Sequence, residues 1–284
     1  LVGSEMCIRD RTQYYIGMGY FYQEGFFKSG DLNYDKYNLR ANITTKIVNG
    51  LTFDINLSGV ADERNNPYTS AVDIIRTYWR QGVLYPAYAD PDNTMLNYQG
   101  LELQENAVAQ MSSDVSGYRK YQQKYFQSSA SLNYDLGVIT PVLKGLSAKA
   151  LVSYDYRTDN NTAYRKEYYQ YAYNELTDSY DQALFNTSSP SRLRRETYNK
   201  QQILSQLLLN YNRSFGEHTV SGVVGLETQK RTGDNFYAQR ELAFSTDYLF
   251  AGVDENQLGS MNIGNNDLYE EANSAMIGLS LIHI

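Results

Sequence analysis

Hydrophobic and polar residues alternate through positions 34–61 with a period of two. Tyr37, Leu39, Ala41, Ile43, Thr45 and Ile47 take one face of a strand predicted over 34–48. Lys36, Asn38, Arg40, Asn42, Thr44 and Lys46 take the other. Asn49-Gly50 follows, a pair that tolerates positive φ and predicts a type I′ turn. On the return over 51–61, Leu51, Phe53, Ile55, Leu57 and Gly59 oppose Thr52, Asp54, Asn56 and Ser58. The alternation outlasts most strands of soluble proteins. A hairpin that is apolar along one whole face and polar along the other needs two solvents. Lipid on one side and a wet lumen on the other supply them.

The same period returns along the chain. Over 12–23, Tyr14, Ile16, Met18, Tyr20 and Tyr22 oppose small residues at Gly17 and Gly19. Further strands are predicted over 125–136, 146–157, 196–213 and 218–230, and a last one begins near Asn273. Between them lie three long excursions. In the first, Ser70 and Asp73 form a capping-box pattern, and Val72, Ile75, Trp79 and Val83 recur near helical spacing. A second short helix is expected over 100–111. The second excursion, 158–195, is expected to extend the strands outward through Tyr168, Tyr169, Tyr171 and Tyr173. The third includes residues 244–253. Short links follow Val48, Leu136 and Ser214, and long ones follow Ala61, Arg157 and Lys230. Outer-membrane barrels gather their long loops at one end in this way. A soluble sandwich also alternates, but has no reason to sort its loops by length. The expected fold is all-β: a partial antiparallel transmembrane β-barrel of about eight strands with long extracellular loops.

Composition narrows the partners. The 284 residues carry a formal charge of -7 and a pI near 5.0, which argues against nucleic acid. Mean hydropathy is -0.54, and no apolar run reaches the length of a membrane-spanning helix, although a barrel leaves little trace on such an average. Tyr is in excess: 28 residues against 10 Phe and 1 Trp. That excess suits barrel girdles, sugar-stacking surfaces, or simply strand propensity. Residues 1–11 and 279–284 fit neither pattern and resemble translated sequencing-adapter sequence, the alternative being ordinary native termini. They hold the single Cys, Cys7, and one of two histidines, His283. No signal-peptide pattern opens the chain. Residues 12–278 are therefore read as an internal piece of a longer barrel.

The segments Gln13-Tyr14-Tyr15-Ile16-Gly17-Met18-Gly19-Tyr20, Gln23-Glu24-Gly25, Tyr37-Asn38-Leu39-Arg40-Ala41-Asn42 and Asn56-Leu57-Ser58-Gly59 resemble the early barrel region of SusC/RagA-type TonB-linked outer-membrane proteins. Gly225-Leu226-Glu227 and Leu249-Phe250-Ala251-Gly252 agree with it. The resemblance implies a multi-pass barrel of roughly 22 strands in the outer membrane of a Gram-negative type bacterium, closed by a plug. It implies energy coupling through TonB–ExbB–ExbD and a SusD-type surface lipoprotein as lid. Lipid and lipopolysaccharide would surround the wall. The cargo implied is an oligosaccharide, or in some members a peptide. No plug or TonB box is found in residues 12–278. The alternative function is a non-transporting binding or adhesion barrel.

No enzyme constellation, metal set or cofactor motif appears. A Ser-His-Asp triad would have to recruit His218, which sits at a predicted turn. Asp62-Glu63, and Asp267 with Glu270-Glu271, lack the ligand spacing of a calcium loop. Arg192, Arg194 and Arg195 meet lipopolysaccharide or belong to a solvated loop. The candidate cargo residues are the aromatics of the excursions: Tyr78 and Trp79 in the first, and Tyr164, Tyr168, Tyr169, Tyr171, Tyr173 and Tyr180 in the second. They would stack on cargo or dock the lid; the other reading is an outer girdle or loop packing.

Overall fold

Strands that alternate apolar and polar residues gain nothing until neighbours share their register, and here each strand finds its neighbour in chain order. The structure is a computed structural model, and it describes residues 2–9, 11–244, 246–261 and 269–283. Its strands are β1 (Val2–Arg9), β2 (Thr12–Glu24), β3 (Asn33–Val48), β4 (Leu51–Pro67), β5 (Gly117–Asp135), β6 (Leu146–Arg165), β7 (Tyr169–Asn174), β8 (Ser179–Leu184), β9 (Arg192–Phe215), β10 (His218–Glu241), β11 (Leu258–Met261) and β12 (Tyr269–His283). Ten of them form one antiparallel sheet, β1 through β6, then β9 and β10, with β11 and β12 both pairing along β10. The remaining two, β7 and β8, make a separate hairpin. The eight expected strands are all present. The additional members of the sheet are β1, within residues 1–11, and β11, within the third excursion. The sheet does not close on itself among the described residues. None of their helices is long and apolar enough to cross a membrane.

Register stacks like with like. Met18, Leu39, Gly59, Phe126 and Tyr156 stand in one row across five strands. Phe53, Leu132, Ala150, Leu207, Leu226 and Met276 make a second row across six. Met18, Leu39, Leu207, Leu226 and Met276 are all exposed. A continuous exposed apolar band is what lipid requires and water penalises. Its upper border carries Tyr20 and Tyr37, with ring centroids 4.9 Å apart, and its lower part Tyr134 and Tyr211. Such borders suit amphipathic rings. The opposite face is hydrogen-bonded and polar. Thr44 Oγ1 donates to Asp54 at 2.7 Å, Asn56 Nδ2 to Ser129 Oγ at 3.2 Å, and Gln206 Nε2 to Glu227 at 2.5 Å.

The strands run further than their alternation. β4 reaches Pro67 rather than Ala61, β5 starts at Gly117 rather than Tyr125, and β6 ends at Arg165 rather than Arg157. β9 begins four residues early and β10 runs on to Glu241. Above the band the alternation breaks down, because the apolar face there carries Lys120, Gln122 and Asn160 as well as Tyr118, Tyr164 and Leu193, while the backbone ladder continues.

The first turn also differs from expectation. Gly50 alone takes positive φ, at +81°, and the register slips between Lys46 and Val48. Asn49-Gly50 therefore closes the hairpin with a bulge instead of a type I′ turn.

The excursions fold over the upper end. Ser70 caps α1 (Ala71–Arg80), accepting from Asp73 N at 3.2 Å and donating to its carboxylate at 2.6 Å. Those bonds, aided by Arg76, hold the Asp73 carboxyl below its ordinary pKa against a smaller opposing effect of burial. Over 100–111, positive φ at Leu103 and Gln104 breaks the expected helix, leaving α2 (Ala107–Met111), and α3 (Ser113–Ser116) follows it. The β7–β8 hairpin does not extend β6 and β9. It docks on the first excursion, where Tyr171 N donates to Leu96 O at 2.7 Å and Tyr98 N to Tyr171 O at 3.2 Å. Gln170 Nε2 adds a bond to Gln104 O at 3.0 Å.

Candidate functional site

The aromatic candidates fall into three places. Tyr78 and Trp79 lie exposed on α1, together with Val72 and Ile75, while Ile74 and Thr77 are the residues α1 buries; Val83, also exposed, lies beyond the end of the helix. The apolar stripe of this helix is therefore exposed. Tyr164 is on strand β6 and not in a loop; it is 7% exposed and packs with Leu193 and Leu242, its ring 5.7 Å from Tyr118. Tyr168 is equally buried, 5.2 Å from Phe185. Burial, with Glu105 second, pushes its hydroxyl well above the usual tyrosine range. Tyr169, Tyr171, Tyr173 and Tyr180 lie on the β7–β8 hairpin, where the rings of Tyr173 and Tyr180 meet at a 58° tilt with centroids 5.5 Å apart and Tyr173 OH donates to Asp178 at 2.8 Å. His218 is exposed at the first position of β10. Asp267 and the side chains of Cys7 and His283 lie outside the described residues. Among the described residues, no three metal-ligating side chains gather.

A different cluster occupies the upper part of the polar face. One row across five strands reads Asn66, Arg119, Ala163, Arg194, Gln239. The row below reads Arg64, Tyr121, Asn161, Glu196, Tyr237, and the one above includes Arg165, Arg192 and Glu241. Guanidiniums and rings interleave: Arg64 lies 4.6 Å from the Tyr121 centroid, Arg119 4.8 Å from Tyr68, and Arg194 3.9 Å from Tyr237. Arg192 pairs with Glu241 at 3.1 Å, and Arg194 pairs with Glu196. Tyr68, Arg119, Tyr121, Arg192, Arg194 and Gln239 line a cavity of about 350 Å³. The Nε–H groups of Arg119, Arg165 and Arg192 are buried without an acceptor among the described residues. Burial, then the neighbouring Arg192, lowers the pKa of Arg165. Asp62 and Asp159 lie further down the same face, where Arg157 holds Asp159 at 2.8 Å.

By their closeness in the sequence, Arg192, Arg194 and Arg195 suggest one loop cluster. The strand separates them: Arg192 and Arg194 face the cavity, while Arg195 takes the opposite face and is exposed. The available signal was period-two spacing of Arg119 with Tyr121, and of Arg192, Arg194 and Glu196, which continues the polar faces of their strands.

A long open sheet with one apolar and one polar face, and with loops folded over one end, has counterparts among solved structures. The RagAB peptide transporter aligns with 98% of the chain at a TM-score of 0.61 and 20% identity. The chain shares its fold with part of that transporter. The RagAB peptide importer aligns in its closed-closed state with 97% of the chain (TM-score 0.57, 22% identity), and in its open-open state with 96% (0.57, 21%). The chain spans 27–28% of these RagAB chains. No protein-family model and no curated protein sequence matches.

Proposed function

We propose that the chain is a wall segment of a TonB-dependent outer-membrane importer of oligosaccharides or peptides, working with a SusD-type surface lipoprotein. The observation that carries this is the continuous apolar band backed by a polar face, in a sheet whose fold RagAB shares. The apolar face meets lipid and lipopolysaccharide, and the polar face lines the passage. The plug and its coupling to TonB–ExbB–ExbD belong to parts of the protein outside this segment. RagAB is described as a peptide transporter, which favours peptides over glycans as cargo here. The exposed stripe of α1, with Tyr78 and Trp79, suits contact with the lid. Tyr169, Tyr171, Tyr173 and Tyr180 on the hairpin suit contact with cargo. Residues 12–278 are assigned to the barrel, and residues 1–11 and 279–284 to added sequence.

The test is uptake by cells or vesicles bearing the intact protein and an energised TonB system. Labelled peptides or oligosaccharides should accumulate, and collapse of the proton gradient should stop the accumulation. Binding without energy-dependent uptake would place the protein among adhesion or binding barrels.

A further inference from the structure

We propose that the arginine–tyrosine patch at the top of the polar face is a carboxylate-binding site that selects anionic cargo. This rests on the importer reading for its place in the passage, and on the patch itself for its chemistry. Five guanidiniums, of Arg64, Arg119, Arg165, Arg192 and Arg194, share this area with two carboxylates, Glu196 and Glu241, while Asp62 and Asp73 act on Arg64 and Arg119 from its edges. The excess is cationic on a chain whose overall charge is -7.

A patch built only to brace the wall would match each cation with an acid. Here Arg64 and Arg119 have aromatic rings as partners and, among the described residues, no carboxylate within ion-pair distance, while Arg165 uses Nη2 on the Pro190 carbonyl at 2.9 Å. Burying an N–H without an acceptor is costly, and Arg119, Arg165 and Arg192 each do so through Nε. A carboxylate is the acceptor that takes Nε–H and Nη–H of one guanidinium together. The rings of Tyr68, Tyr121 and Tyr237 hold guanidinium faces by cation–π contact and leave their N–H edges available. Ala163 and Asn161, between the arginine-bearing strands, are short enough to leave the cavity open. Arg119 on β5 and Arg194 on β9 stand two strands apart, about 10 Å at sheet spacing. That span fits an extended oligomer bearing repeated carboxylates better than a single small acid. Acidic peptides and uronic-acid oligosaccharides share this chemistry.

The test uses the intact protein in detergent and needs no energy source. Fluorescent pentaglutamate is titrated against pentaglutamine, and trigalacturonate against its methyl ester. Pentaglutamate or trigalacturonate should bind at least about tenfold more tightly than its neutral counterpart, the factor expected of one charge-assisted hydrogen bond. The member that shows it names the cargo source. Arg119→Gln with Arg194→Gln should remove that preference. Glu196→Gln, which frees Arg194, should tighten anion binding several-fold.

Equal affinities within both pairs overturn the proposal, as does a preference that survives the double substitution. Heat-modifiable migration on gels reports whether the double variant folds. If it does not, Glu196→Gln decides: unchanged affinity for the acidic probe overturns the site. Anion binding without energised uptake would sink the importer reading and leave the site standing.

Discussion

Single residues fix the joints of this wall. Gly117 opens β5 with φ +94° and ψ -171°, a region that side chains avoid. A Cβ there would lie 2.0 Å from the Tyr164 carbonyl oxygen. The close approach matters because Tyr68 N donates to Gly117 O at 2.9 Å, tying the end of β4 to the start of β5 just beside Arg119. Gly117→Ala should therefore cost more than the roughly 1–3 kcal/mol of backbone strain alone, since the carbonyl must also move. Urea unfolding of the intact protein in lipid vesicles measures it. A midpoint unchanged from the parent would mean that the joint has slack. Gly216 makes the useful contrast: it also has positive φ, at +63°, but a Cβ there meets nothing within 4 Å.

At the scale of elements, the two faces of a strand obey different solvents, and substitution should reveal which is which. Leu226 lies in the apolar band, beside Leu207 and Met276. Leu226→Arg should destabilise by about 2–4 kcal/mol at mid-depth in a bilayer. Ser153, on the polar face of β6 between Ser129 and Leu204, should accept Arg at much smaller cost. Paired unfolding titrations in vesicles check this, and equal costs would remove the lipid assignment. The same asymmetry explains what the sequence made legible. On the importer reading, lipid imposes alternation wherever the ladder crosses the membrane, so all eight long strands and the order of short and long loops are readable from residues such as Leu39, Ile55 and Leu132. Above the band nothing enforces alternation, and the ladder runs on through Glu63, Arg64, Arg119 and Lys120 without a hydrophobic signal. The strand ends there carry no signal of their own, and the arginine patch is hidden with them. The α1 cap at Ser70 was readable because it is local. The docking of the β7–β8 hairpin on residues 96–98 was not, because it depends on backbone bonds between segments more than 70 positions apart.

At the scale of the whole molecule, the decisive feature is an open sheet. Its ten strands end at β1 on one side and at β11 and β12 on the other, and no pairing joins those edges among the described residues. An open edge offers a row of free N–H and C=O groups to any other strand. In lipid the cost is greater still, because no water is present to satisfy them. Closing a barrel requires strand number, tilt and stagger to agree, and the chain spans only 27–28% of the RagAB chains whose fold it shares. Residues 2–283 expressed by themselves should therefore associate edge to edge. Refolding into detergent should give large scattering particles with strand-rich circular dichroism and no heat-modifiable monomer band. On the importer reading, the intact protein closes the barrel with further strands and should give that band under the same conditions. A monodisperse, heat-modifiable monomer from the isolated chain would mean that β1 and β12 find each other, and that these ten strands are a small barrel in their own right. The interior of such a barrel would be too narrow for an oligomeric cargo, and the arginine patch would then have to act at its mouth.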